Sequence, residues 1–138
     1  MGTDIDTIYI GGQWVTPAST NKIEIQSPAT GEPVGSVTSA GKRDVDRAVA
    51  AARAAFDDPD GWSTWESADR AGVLAEFARQ YDLAAEDIVR TVCRENGMPI
   101  SQAGLLEGAV PGMLLTYYSD LIEKLPVSET RLGPEASR

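Results

Sequence analysis

Residues 41–56 read GKRDVDRAVAAARAAF. Val45, Val49, Ala52 and Phe56 recur at intervals of four, three and four, which places one apolar stripe along a helix. Arg47, Arg53 and Asp46 lie off that stripe. Gly41 serves as the N-cap, and Asp44 stands where a capping-box carboxylate meets the free amides and the positive end of the helix dipole. The pattern therefore predicts a helix starting near Lys42. Upstream, Pro28, Gly31 and Pro33 punctuate turn residues between two β-branched segments, 23–26 and 34–38. The order is strand, turn, strand, helix.

Toward the N-terminus, segments 7–10 and 13–16 flank Gly11 and Gly12, a two-residue hairpin signal, with Trp14 placed to cover one face. Beyond the first helix, 57–61 reads as a turn that Trp62 and Trp65 are expected to pack down. A second helix from about Ser67 is expected to carry Val73, Leu74, Phe77 and Tyr81 inward. A third, over 83–95, is stopped by Asn96, Gly97 and Pro99. A short fourth covers 101–107. The last helix, about 111–124, presents Leu114, Leu115, Tyr118, Leu121 and Ile122. Pro111 fits as its first residue, where a missing N–H costs nothing. Gly104, Gly108 and Gly112 repeat at every fourth residue, which with Glu107 inside the run reads as close backbone packing rather than pairing in a membrane.

The 138 residues are 42% hydrophobic and 24% charged, with a net charge of −9, as in an ordinary soluble domain or part of one. Such acidity disfavours nucleic acid. No apolar run approaches the roughly 20 residues that cross a bilayer, and MGTDIDT has neither a basic region nor a hydrophobic signal core, so a cytoplasmic location is expected. One cysteine and no histidine exclude an internal disulfide framework, zinc sites and His-based triads within the chain. Cys93 lies on a stripe with Ile88, Val89 and Val92 and is expected to be a buried structural thiol. Glu66, Asp69, Glu86 and Asp87 read as helix-start charges and a solvated face, not as an acid and base pair. No Gly-x-Gly-x-x-Gly or P-loop occurs, and no long Val/Ile/Leu strands of the kind a parallel dinucleotide-binding sheet needs. Helices with apolar stripes and few strands to receive them suit a self-contained bundle or a shell around a sheet, and this length permits either.

Six segments share one order: YIGGQWV (9–15), SPATGEP (27–33), DVDRAVAAARAAF (44–56), ADRAGVL (68–74), ENGMP (95–99) and TYYSD (116–120). Together they resemble the N-terminal region of the NAD(P)-dependent aldehyde dehydrogenase superfamily, from about Ile8 to about Val127. The resemblance implies an α/β fold of which this chain is the N-terminal β-hairpin and strand segment plus helices of the coenzyme-binding domain, without the Rossmann-type sheet. It divides the chain into strands and turns (1–40), helices (41–125) and a linker (126–138).

In complete members, which are much longer, a cysteine thiolate attacks the aldehyde, a hydride passes to NAD or NADP, and a glutamate activates the water that releases the acid. Those residues and the dinucleotide-binding positions belong to later segments, and none matches here. The resemblance implies that this chain alone binds no dinucleotide and is inactive, that its partners are an aldehyde and the remainder of the dehydrogenase or full-length homologous subunits, and that the complete enzyme is a homo-oligomer. Leu106 and Val110 match positions bordering the substrate tunnel, and plain core packing is the other reading of them. Ile25, by its carbonyl, and Glu95 match a monovalent cation site of some members, with Glu where Asp is frequent. A second reading makes the chain a truncated, non-catalytic interaction module or remnant that docks on full-length relatives. A third, an unrelated acidic helical domain, would need the order of the six segments to be coincidence.

Overall fold

Glycine and proline divide the chain, and a computed structural model describes residues 3–126 and 128–130. Its strands are β1 (Thr3–Ile5), β2 (Ile8–Ile10), β3 (Gln13–Val15), β4 (Lys22–Gln26) and β5 (Pro33–Thr38). The helices are α1 (Lys42–Asp57), a 3₁₀ turn at Trp62–Thr64, α2 (Ser67–Asn96), α3 (Ile100–Ala103), a π-helical stretch at Gly104–Ala109, and α4 (Val110–Lys124). The expected linker at 126–138 falls largely outside the described residues.

β2 and β3 form the expected hairpin, with Gly11 and Gly12 at φ 59° and 82°. Trp14 does not cover a face as expected. It meets its cross-strand neighbour Tyr9 edge-on at 5.3 Å and stays 68% exposed. β4 pairs antiparallel with β5, and β1 adds a parallel strand on the other side of β5, giving the order β1-β5-β4. β1 went unread because a short strand at a chain end becomes visible only through its partner.

α1 starts where its capping pattern predicts: the Gly41 amide donates to Asp44 Oδ2 at 2.9 Å. Its stripe does not face inward, however. Val49 is 63% exposed and Phe56 65%. The hairpin meets α1 across shallow grooves lined by Ala48, Ala51 and Ala55 together with two stripe residues, Val45 and Ala52, and Ala51 Cβ is 3.6 Å from where a side chain on Gly11 would begin. Small residues let a hairpin approach the helix closely, while Val49 and Phe56 are left uncovered.

The turn before α2 is pinned as expected in one respect, since Trp65 Nε1 donates to the Asp60 carbonyl at 3.0 Å. Both tryptophans remain exposed, with ring centroids 5.5 Å apart. α2 is a single helix of 30 residues, not two. Tyr81 and Ile88 are seven positions apart, about two turns, so the two expected stripes are one stripe, and no glycine or proline lies between them. The other expected boundary disappears as well. α3, the π stretch and α4 run on from one another, and α4 starts at Val110 with Pro111 inside its first turn.

α2 and α4 pack antiparallel. Ser119 Oγ donates to the Ala71 carbonyl at 2.8 Å near one end, and Tyr81 Oη donates to the Glu107 carbonyl at 2.6 Å near the other. Gly112 faces Asp82, and a side chain on Gly108 would begin 3.1 Å from Val89 Cγ2. Close backbone packing thus explains Gly108 and Gly112 but not Gly104, which has open space around it. Among the described residues the buried hydrophobic side chains are Ala71, Ala78 and Ala103. The accessible surface is 10638 Å², against roughly 6,900 Å² for a compact monomer of this mass. Among the described residues no large apolar side chain is buried.

Candidate functional site

The helical run from Ile100 to Lys124 carries the matched tunnel positions. Leu106 lies in the π stretch and is 48% exposed, whereas Val110, the first residue of α4, is half-buried. The segment between them is unbroken, so one continuous helical surface carries both. Proline cannot supply an amide to the carbonyl four residues back. For Pro111 that carbonyl belongs to Glu107, and it accepts from Tyr81 instead. The backbone adjusts into π geometry, with the Val110 amide donating to the Leu105 carbonyl.

Exposed apolar groups continue along this run at Leu105, Met113, Leu114, Tyr117 and Tyr118. An open groove of about 540 Å³ follows α4 past Ala109, Gly112, Met113 and Tyr117, with Asp82 and Asp120 also lining it. A second, of about 360 Å³, lies between Leu74 on α2 and Tyr118, Leu121 and Ile122 on α4. Neither includes Leu106 or Val110.

The matched cation positions lie at another place. Ile25 is half-buried at a register irregularity in β4, where Gln26 slips past its partner. Glu95 is exposed in the last turn of α2. The turn after β4 comes against the helix stop: Gly97, at φ 77°, leaves so little room that a side chain there would begin 2.6 Å from Pro28 Cγ. SPATGEP and ENGMP, far apart in sequence, thus meet in space. Among the described residues no group of three or more Asp, Glu, Cys or His side chains is arranged to hold a metal ion.

Cys93 is half-buried rather than buried, because only one side of that part of α2 is covered. Its carbonyl accepts the Gly97 amide at 3.2 Å. Glu86 and Asp87 pair with Arg90 on an exposed face, as a solvated surface should.

The start of α1 does not suit the pyrophosphate of a dinucleotide. β5 leads into α1, and the amides at such a helix start are where a pyrophosphate would bind. The Asp44 carboxylate stands beside them instead. Its Oδ2 accepts both the Gly41 and the Ala18 amide at 2.9 Å, and its charge would repel a phosphate. The bonds to Gly41 and then Ala18 hold this carboxyl below the usual carboxylate range, so it stays ionised.

Sequence reading missed two contributors. Asp44 was legible as a cap but not as the clasp for Ala18, and Tyr81 was read only as an apolar helix residue. The one signal for Tyr81 was Pro111, which leaves a carbonyl needing a donor without saying which.

A segment with this order of strands and helices is placed by comparison with known proteins. The sequence pattern of the Aldehyde dehydrogenase family matches residues 14–136. Geranial dehydrogenase of Castellaniella defragrans is 40% identical over 137 residues, covering 99% of this chain and 28% of that protein. The crystal structure of Mycobacterium tuberculosis aldehyde dehydrogenase complexed with NAD+ superposes with a TM-score of 0.87 at 34% identity, covering 96% of this chain and 27% of that one. Aldehyde dehydrogenase C of Pseudomonas syringae, in complex with NAD+ and octanal, gives 0.83 at 32% identity, covering 92% and 25%. The chain belongs to the aldehyde dehydrogenase family and spans only the N-terminal part, little more than a quarter of the length of these relatives.

Proposed function

We propose that the chain is the N-terminal scaffold and one wall of the substrate entrance of an NAD(P)-dependent aldehyde dehydrogenase that oxidises apolar aldehydes to acids. The supporting observation is the uncovered apolar surface: the α1 stripe and the outer face of the α3–α4 run are exposed here and need the rest of such an enzyme to cover them. Leu106 and Val110 form the entrance wall. Their aliphatic character suits a hydrocarbon tail, in keeping with relatives named for geranial or holding octanal. Nucleophile, water-activating base and coenzyme all come from outside this chain, which by itself is inactive. The complete enzyme is a homo-oligomer of the cytoplasm. No described helix is long and apolar enough to cross a membrane. A monovalent cation between the Ile25 carbonyl and Glu95 would brace the meeting of the Pro28 turn and the end of α2.

The test is a graft of this chain in place of the matched residues of C. defragrans geranial dehydrogenase. The graft should oxidise octanal with NAD+, and the chain alone should not. Leu106→Asp in the graft should raise KM for octanal by about tenfold or more relative to propanal, because a lost apolar contact is felt mainly by the longer tail. Equal effects on the two aldehydes would remove Leu106 from the entrance, and oxidation by the chain alone would end the scaffold reading. The same exposed faces also suit a non-catalytic module docked on full-length relatives. Co-purification with such a relative, together with a graft inactive on every aldehyde, would favour that reading.

A further inference from the structure

The bond between Tyr81 and Glu107 joins residues 26 apart in sequence and stands where the helix has lost one of its own bonds. An unmade bond at a covered carbonyl is costly. At 2.6 Å the phenol makes a short, well-formed replacement. α2 also approaches the same stretch closely at Gly108, beside Val89, and at Gly112, beside Asp82. Burial first, then the nearby Glu107 carboxylate, push the phenol's pKa above its ordinary value, so the hydroxyl keeps its proton and goes on donating through the neutral range. Within the π stretch each bond spans one residue more than in an α-helix, which rotates Leu106 relative to Val110.

We infer that Tyr81 is a positioning residue for the aldehyde entrance: its hydroxyl replaces the amide Pro111 lacks, holds the π turn, and so sets the angle between Leu106 and Val110. This rests on the reading of those two side chains as entrance wall. Tyr81 touches no reacting atom and acts only through the helix backbone.

The test is a cycle of four proteins: the parent chain, Tyr81→Phe, Pro111→Ala and the double variant. Hydrogen exchange over residues 104–113 is followed in the full 138-residue chain. Tyr81→Phe should speed exchange there about tenfold, the scale of one lost bond. Pro111→Ala should restore protection in the double variant, because alanine returns an amide to Glu107. Unchanged exchange in Tyr81→Phe, failure of Pro111→Ala to rescue it, or a parent chain unprotected over this segment would each overturn the proposal.

The same four proteins, grafted into geranial dehydrogenase, give the ratio of KM for octanal to KM for propanal. Tyr81→Phe should shift that ratio severalfold with kcat little changed. The double variant should stay shifted, since its turn is α rather than π. A ratio that recovers along with protection, or never moves, makes Tyr81 merely structural and overturns the positioning role. A graft inactive on every aldehyde would instead count against the proposed function, and the exchange cycle would still report on the Tyr81 bond.

Discussion

Asp44 shows how one side chain can hold two distant parts of a chain. Its carboxylate is 1% exposed, accepts the Gly41 and Ala18 amides, and lies 3.6 Å from the Arg47 guanidinium. The capping half of this was legible, because a carboxylate three residues after a cap repeats locally in many helices. The Ala18 half was not, since nothing in residues 17–19 names its acceptor. Its pKa is lowered from 3.8, so its contribution to stability is fully present above pH 3.8 and is lost as pH falls through the lower folded value. Asp44→Asn should flatten that acid limb and lower the helix melting temperature by several degrees at neutral pH, as followed by circular dichroism from pH 7 to 2.5. An unchanged acid limb would assign the effect to other carboxylates. Glu76, whose pKa falls to about 2 beside Arg79 and Gln80, is the chief competitor. Its ion pair is exposed and screened, so it should matter little.

At the scale of elements, the stop of α2 was readable and its length was not. Asn96, Gly97 and Pro99 announce a C-terminus by their own backbone chemistry, whereas the expected break after Tyr81 had no residue to cause it. Gly97 also does something sequence could not disclose, which is to leave room for Pro28. Gly97→Ala should cost roughly 1–2 kcal/mol for the left-handed backbone alone and should displace the turn after β4. Proteolysis and amide exchange over residues 27–31 would detect that displacement. If the turn is undisturbed, the contact with Pro28 does not hold SPATGEP against the helix end.

For the whole molecule, surface is the telling quantity. The accessible area exceeds that of a compact monomer of this mass by about half. Val45, Val49 and Phe56 line an exposed stripe, and a patch of that kind marks an interaction site. The chain alone should therefore bind a hydrophobic dye, and Val49→Lys with Phe56→Lys should reduce the binding without loss of helix by circular dichroism. A chain that ignores the dye and melts cooperatively would have covered its stripes in some other way. The choice left open between a bundle and a shell is thus decided by packing: α1 meets only the hairpin and leaves Val49 and Phe56 outside. Helix starts, stops and the β-hairpin were settled by local chemistry, because caps, proline and glycine act within a few residues of themselves. So was the family, through six segments in a fixed order. Which face of α1 is covered, that Tyr81 supplies the donor Pro111 lacks, and that Pro28 rests on Gly97 were settled only in three dimensions, because each depends on a partner that sequence distance conceals.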